Sequence, residues 1–112
     1  MERQTPHEVE LMGYQTIVSQ NLIEEGKIFL HETKYIKIAI TKLGKDYFAF
    51  EDACTHDGEE ISGGILEGDT ITCPRHEAQF CIRDGKVKRL PATEPLVILP
   101  IRIHNGMVEV DL

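Results

Sequence analysis

No apolar run in this chain approaches the roughly 18 residues that a membrane-spanning helix needs. The opening residues, MERQTPHEVELMGY, lack the basic patch and apolar centre of a secretory leader, and no twin arginine occurs. A soluble, cytoplasmic protein is the expectation. Cysteine is scarce, at three in 112 residues, which argues against a disulfide framework and agrees with a reducing compartment. Basic residues are outnumbered, 12 against 19 acidic ones, for a formal net charge of −7. Nucleic acid and anionic membranes are therefore poor partners, and a protein with a basic docking patch is a better one. No nucleophile–base pair stands out. Gly63-Gly64 is too short to cradle a phosphate and reads as a turn.

Helical periodicity is also missing over any stretch of about ten residues, as are repeats and low-complexity tracts. What is present suits one compact domain. Residues 1–13 are polar and read as an N-terminal extension, and residues 14–112 as the folded domain. Short β-type runs separated by turn formers predict strands at 14–19, 27–31, 35–41 and 47–51. In the third run, isoleucines at 36, 38 and 40 alternate with smaller or polar residues, the pattern of a half-buried strand. Asp84-Gly85 predicts a hairpin between strands at 79–83 and 86–90. Asn105-Gly106 predicts another between 96–103 and 107–112, with Val108, Val110 and Leu112 on one face. Pro91, Pro95 and Pro100 confine any strand near them to edges or short pieces. The expected class is all-β, an antiparallel sandwich or open barrel.

Two short segments carry chemistry. Cys54-Thr55-His56 and, sixteen residues beyond that histidine, Cys73-Pro74-Arg75-His76 each offer one thiolate and one imidazole. These are the side chains that bind iron or zinc near neutral pH. Both segments follow strand-like residues and contain turn formers, so two loops from neighbouring strands could close on one inorganic centre. Ser62-Gly63-Gly64 between them would supply backbone conformations closed to other residues. Structural zinc usually takes C-x2–4-C knuckles, whereas each loop here mixes one sulfur with one nitrogen; a mononuclear zinc site with the same four ligands is the alternative.

The pattern C-x-H-x16-C-x2-H resembles the ligand set of Rieske [2Fe–2S] proteins. Cys54-Thr55-His56-Asp57-Gly58, Gly63-Gly64-Ile65-Leu66-Glu67-Gly68, Cys73-Pro74 and Phe80 resemble the stand-alone ferredoxins of that family, over roughly residues 14–112. The resemblance implies a β-sandwich or open-barrel base with a small cluster-binding subdomain near residues 51–84. It implies one [2Fe–2S] cluster, with Cys54 and Cys73 on one iron and His56 and His76 on the other. Respiratory members carry a loop-to-loop disulfide and hydroxyl donors. Their positions hold Glu59 and Arg75, and Ala78 and Phe80, in this chain. Fewer donors to sulfur imply a lower potential. Asp57, Glu59, Glu60 and Glu77 lie in the loops with Arg75 as the one cation. Each net negative charge ~8 Å away would disfavour reduction by roughly 1 kcal/mol at an effective dielectric of ~40.

By resemblance, then, the chain is a low-potential electron carrier rather than a catalyst. A flavin-containing reductase would donate single electrons, and the terminal oxygenase of an aromatic-ring-hydroxylating dioxygenase would accept them. The alternatives are a small redox or regulatory subunit of another enzyme, such as an assimilatory nitrite reductase, and an iron–sulfur redox sensor acting through Cys81. A small buried residue is the simpler reading of Cys81. Glu77 stands where family members commonly have glycine. His7, His31 and His104 lie outside both loops and read as surface residues.

Overall fold

Alternating apolar and polar side chains, interrupted by glycine and proline, produce eleven strands in residues 13–112, the part of the chain that the structure, a computed structural model, describes. The base contains β1 (Tyr14–Ser19), β2 (Phe29–Glu32), β3 (Lys37–Leu43) and β4 (Asp46–Glu51). Four short strands follow: β5 (Ile65–Glu67), β6 (Thr70–Thr72), β7 (Gln79–Cys81) and β8 (Val87–Arg89). The chain then returns through β9 (Ile98–Leu99), β10 (Ile101–His104) and β11 (Met107–Asp111). No α-helix occurs among the described residues; a single 3-10 turn spans Gln20–Leu22. The polar extension expected at residues 1–13 lies, except for Gly13, outside the described residues.

Three antiparallel sheets result, with orders β1-β11-β10, β2-β3-β4-β9 and β5-β6-β7-β8. The middle one is covered on both faces. Ile38, Ile40 and Ala49 point toward Val108 and Val110 of the first sheet. Ala39 and Phe50, one residue out of phase, point toward Ile71 and Phe80 of the third and Ile82 in the turn after β7. The expectation of a half-buried third strand is therefore corrected: β3 is buried on both faces from Ile38 to Thr41, because alanine as well as isoleucine packs inward. The strand also starts later than its sequence pattern suggests. Thr33 Oγ1 accepts from the backbone N–H groups of Tyr35 and Ile36, a side-chain turn that keeps Tyr35 out of the ladder and 88% exposed.

The last hairpin forms where Asn105 and Gly106 both take positive φ, +52° and +76°, the twist that suits a two-residue turn. Its first strand is not the continuous 96–103 expected. Pro100 lacks an N–H and cannot extend a ladder, so the chain changes sheets there: β9 edges the middle sheet and β10 joins the first. Upstream, Ala92 and Leu96 sink into the core shared with the third sheet. Leu96 donates to the Gly85 carbonyl and Glu51 to that of Val97, so this proline-rich strap ties the third sheet to the base.

Candidate metal centre

Both candidate ligand segments are turns of one design. In the first, which leaves β4, the Cys54 carbonyl accepts from the Gly58 N–H at 2.6 Å, and the Cys54 N–H donates to the Glu59 carbonyl at 2.7 Å. Gly58 takes φ +78°. In the second, between β6 and β7, the Cys73 carbonyl accepts from the Glu77 N–H at 3.1 Å and the Cys73 N–H donates to the Ala78 carbonyl at 2.7 Å. The fifth residue is again left-handed, but it is Glu77, at φ +62°. This explains why glycine suits that position: a side chain there costs roughly 1 kcal/mol.

A buried carboxylate frames the first turn. Asp52 is 4% exposed and accepts from the N–H groups of Ile61 and Ser62 and from the Ser62 hydroxyl, at 2.9, 2.8 and 2.7 Å. Removing it would strand buried donors at a cost of roughly 1–3 kcal/mol. Nothing in the local sequence announces this role, since the partners lie nine and ten residues away. Contrary to the expectation that Ser62-Gly63-Gly64 would supply backbone conformations closed to other residues, neither glycine has positive φ. Gly64 is needed because a Cβ there would lie 1.8 Å from the Thr72 carbonyl oxygen, so β6 can pass close beneath the loop.

The structure sets the Cys54 thiol beside that of Cys73 and the His56 ring beside that of His76, with the Cys54 and His56 donor atoms within 4.8 Å of each other. Cys54 and Cys73 are fully buried in the core below the turns, and all three cysteines are free thiols. Burial pushes the Cys54 thiol up, and hydrogen bonding with the Cys73 thiol adds to this, while the backbone N–H groups of His56 and Asp57 act the other way. His56 and His76 are exposed at the turn tips, their ring centroids 5.0 Å apart and their planes at 83°. Two soft donors in apolar surroundings face two imidazoles at the protein edge. That donor set suits an iron–sulfur cluster with mixed sulfur and nitrogen ligation.

Asp57 also lies within ligand distance of Cys54 and His56. Its oxygens are engaged, however. Arg75 Nε donates to Oδ2 at 2.5 Å and Nη2 to Oδ1 at 3.0 Å, and the Glu59 N–H reaches Oδ1 at 2.9 Å. The Arg75 guanidinium, helped by that N–H, holds the Asp57 carboxyl at about 2. Asp57 is thus an ion-pair partner, not a fifth ligand.

The charge balance around the turns differs from the expectation of one cation among four carboxylates. Glu60 meets Lys37 at 2.6 Å, and Glu77 meets Arg89 at 3.4 Å. Three of the four carboxylates therefore face a cation, and Lys37 and Arg89 reach in from strands that local sequence could not place there. Ala78 and Phe80 are fully buried and offer no side-chain donor. The nearby hydroxyls are used elsewhere, Thr55 on the Glu94 carbonyl and Ser62 on Asp52, both at 2.7 Å. Of the remaining histidines, His104 is exposed, His31 is half-buried on β2, and His7 lies outside the described residues. Cys81, half-buried on β7 opposite Thr70, does not join the centre.

Comparison with known proteins agrees. The Rieske [2Fe-2S] domain family matches residues 1–101. The 3-phenylpropionate/cinnamic acid dioxygenase ferredoxin subunit of Escherichia coli is 37% identical over 91 residues, 80% of this chain and 85% of that protein, and the Shigella flexneri subunit matches to the same extent. A chain in the complex of reduced oxygenase and oxidized ferredoxin of carbazole 1,9a-dioxygenase superposes with a TM-score of 0.82 at 28% identity, over 89% of this chain and 94% of that one. The carbazole 1,9a-dioxygenase ferredoxin from Nocardioides aromaticivorans, at 17% identity, shares the fold with a TM-score of 0.80 over 88% and 96% of the two chains.

Proposed function

The chain belongs to the Rieske [2Fe-2S] family, and on that premise we propose that it carries single electrons from a flavin-containing reductase to the terminal oxygenase of an aromatic-ring dioxygenase system. It is the electron-transfer component of such a system and not its catalyst. When bound, a [2Fe–2S] cluster takes up and releases one electron. Cys54 and Cys73 would hold one iron and His56 and His76 the other, within a subdomain near residues 51–84. The observation that carries this reading is the placement of two buried thiols and two exposed imidazoles on twin turns.

Each group of residues has a distinct task. The core around Cys54 and Cys73 keeps water from the sulfurs. The His56 and His76 rings reach solvent, where a partner's redox centre comes nearest, and docking there would be weak and small. The absence of hydroxyl donors from Ala78 and Phe80 favours a potential near the low end of the Rieske range, about −150 mV. The paired carboxylates add little to that effect, because each faces a cation. Cytoplasmic location is supported by the three free thiols; no described helix is long and apolar enough to cross a membrane.

Metal analysis with absorption and EPR spectroscopy tests the reading. A coloured protein holding iron and acid-labile sulfide in equal amounts, with a Rieske-type EPR signal after dithionite, is expected. A colourless protein with one zinc would refute it. Potentiometry checks the finer point, which a midpoint above 0 mV would contradict.

A further inference from the structure

The two ligand-bearing turns leave different sheets: the first follows β4 of the middle sheet, the second joins β6 to β7. Contact between the thiols aside, every hydrogen bond joining the two turns among the described residues comes from one side chain, Arg75. Its guanidinium grips Asp57 through two nitrogens and donates a third bond to the Glu60 carbonyl at 2.8 Å. Glu60 in turn is held by Lys37 of β3 at 2.6 Å. Arg75 precedes His76 and Asp57 follows His56, so the clip joins the immediate neighbours of both imidazoles. Only a planar fork makes this arrangement, since an ammonium would not span both carboxylate oxygens and the carbonyl together.

We propose that Arg75 is a positioning residue that locks the two turns to each other and thereby sets how long the protein retains its metal centre. The inference rests on the ligand set proposed above. With no disulfide between the turns, this fork adds to their shared apolar core in opposing separation, and separation is what exposes the buried thiolate ligands to solvent and chelators. Retention should thus depend on geometry as well as on positive charge.

The test uses the iron-loaded full chain with Arg75→Gln, Arg75→Lys, Asp57→Asn and the Asp57→Asn/Arg75→Gln double variant. Asp57→Asn keeps the Oδ1 acceptor for the Glu59 N–H while removing the charge. Bleaching by an excess of iron chelator is timed, and the EPR line shape and far-UV thermal melting are recorded beside it. All three single variants should bleach about tenfold faster, as loss of a bidentate charge-assisted pair implies. The double variant should bleach no faster than Arg75→Gln, and the EPR line shape should broaden while melting of the base stays in place. Wild-type retention in Arg75→Lys would overturn the clip in favour of charge alone. Multiplying effects in the double variant, or bleaching that merely tracks global melting, would overturn it as well. A wild type without iron would defeat the ligand assignment itself; an iron-loaded wild type whose variants bleach at its own rate defeats only the clip.

Discussion

The turn that starts at Cys54 and the turn that starts at Cys81 share the pattern Cys-x-x-Asp-Gly and share their hydrogen bonds, yet only one belongs to the candidate centre. At Cys81 the carbonyl accepts from the Gly85 N–H and the N–H donates to the Lys86 carbonyl. Asp84 Oδ1 accepts from the Lys86 N–H, as Asp57 Oδ1 does from that of Glu59. Gly85 is left-handed at +82°, like Gly58 at +78°. At the third position, however, one turn has His56 and the other Arg83, which reaches Asp69 at 3.3 Å and lies over the Phe48 ring. The turn is thus a local backbone solution that needs no metal. Its chemistry comes from the side chain it lifts to the surface and from the second thiol buried beside it.

The Cys73 turn makes the same bonds without glycine at the fifth position, so it adopts this backbone against its local preference. Packing and pairing compensate: Ala78 is buried beneath it, and β6 and β7 pair directly on either side. Three turns therefore share one backbone, two written in their own residues and one imposed by its surroundings.

The largest expected effect separates the cysteines. Cys54→Ala or Cys73→Ala should abolish the visible spectrum of the purified protein, whereas Cys81→Ala should leave it intact; a Cys81 variant without colour would break the comparison. Next come the glycines. Gly58 has open space around its Cα, but a Cβ on Gly85 would lie 2.4 Å from the Leu96 carbonyl oxygen. Thermal or denaturant unfolding should show a loss of about 1 kcal/mol for Gly58→Ala, from φ alone, and about 3 kcal/mol or more for Gly85→Ala. Equal losses would mean that the strap yields. A smaller change, of opposite sign, is expected for Glu77→Gly: a gain of roughly 0.5 kcal/mol, because relief of the left-handed strain is partly offset by the freer unfolded chain. The smallest is Arg89→Gln. Its pair with Glu77 is 3.4 Å long with both side chains more than half exposed, so stability should stay within about 0.5 kcal/mol of wild type.

Much of the fold was readable because its signals are local. β1 appears at 14–19 as expected, and Asn105-Gly106 turns where its residues allow positive φ. Val108 and Val110 are buried and Leu112 packs beside them. The break at Pro100 was readable only in part, because a missing N–H says that a ladder must stop but not which sheet the next residues will join. The double burial of β3 is not legible locally because alanine carries little hydrophobic signal, and only a third sheet across from Ala39 makes it core.

The candidate metal centre divides in the same way. Its four candidate ligands, and the absence of side-chain donors at Ala78 and Phe80, are facts of residue identity, legible without coordinates because ligand chemistry depends on which atoms a side chain carries. The neutralising cations, the Asp52 frame, the Arg75 fork and the close passage beneath Gly64 are not local. They join residues from eight to 23 positions apart, and such contacts exist only once the sheets have packed.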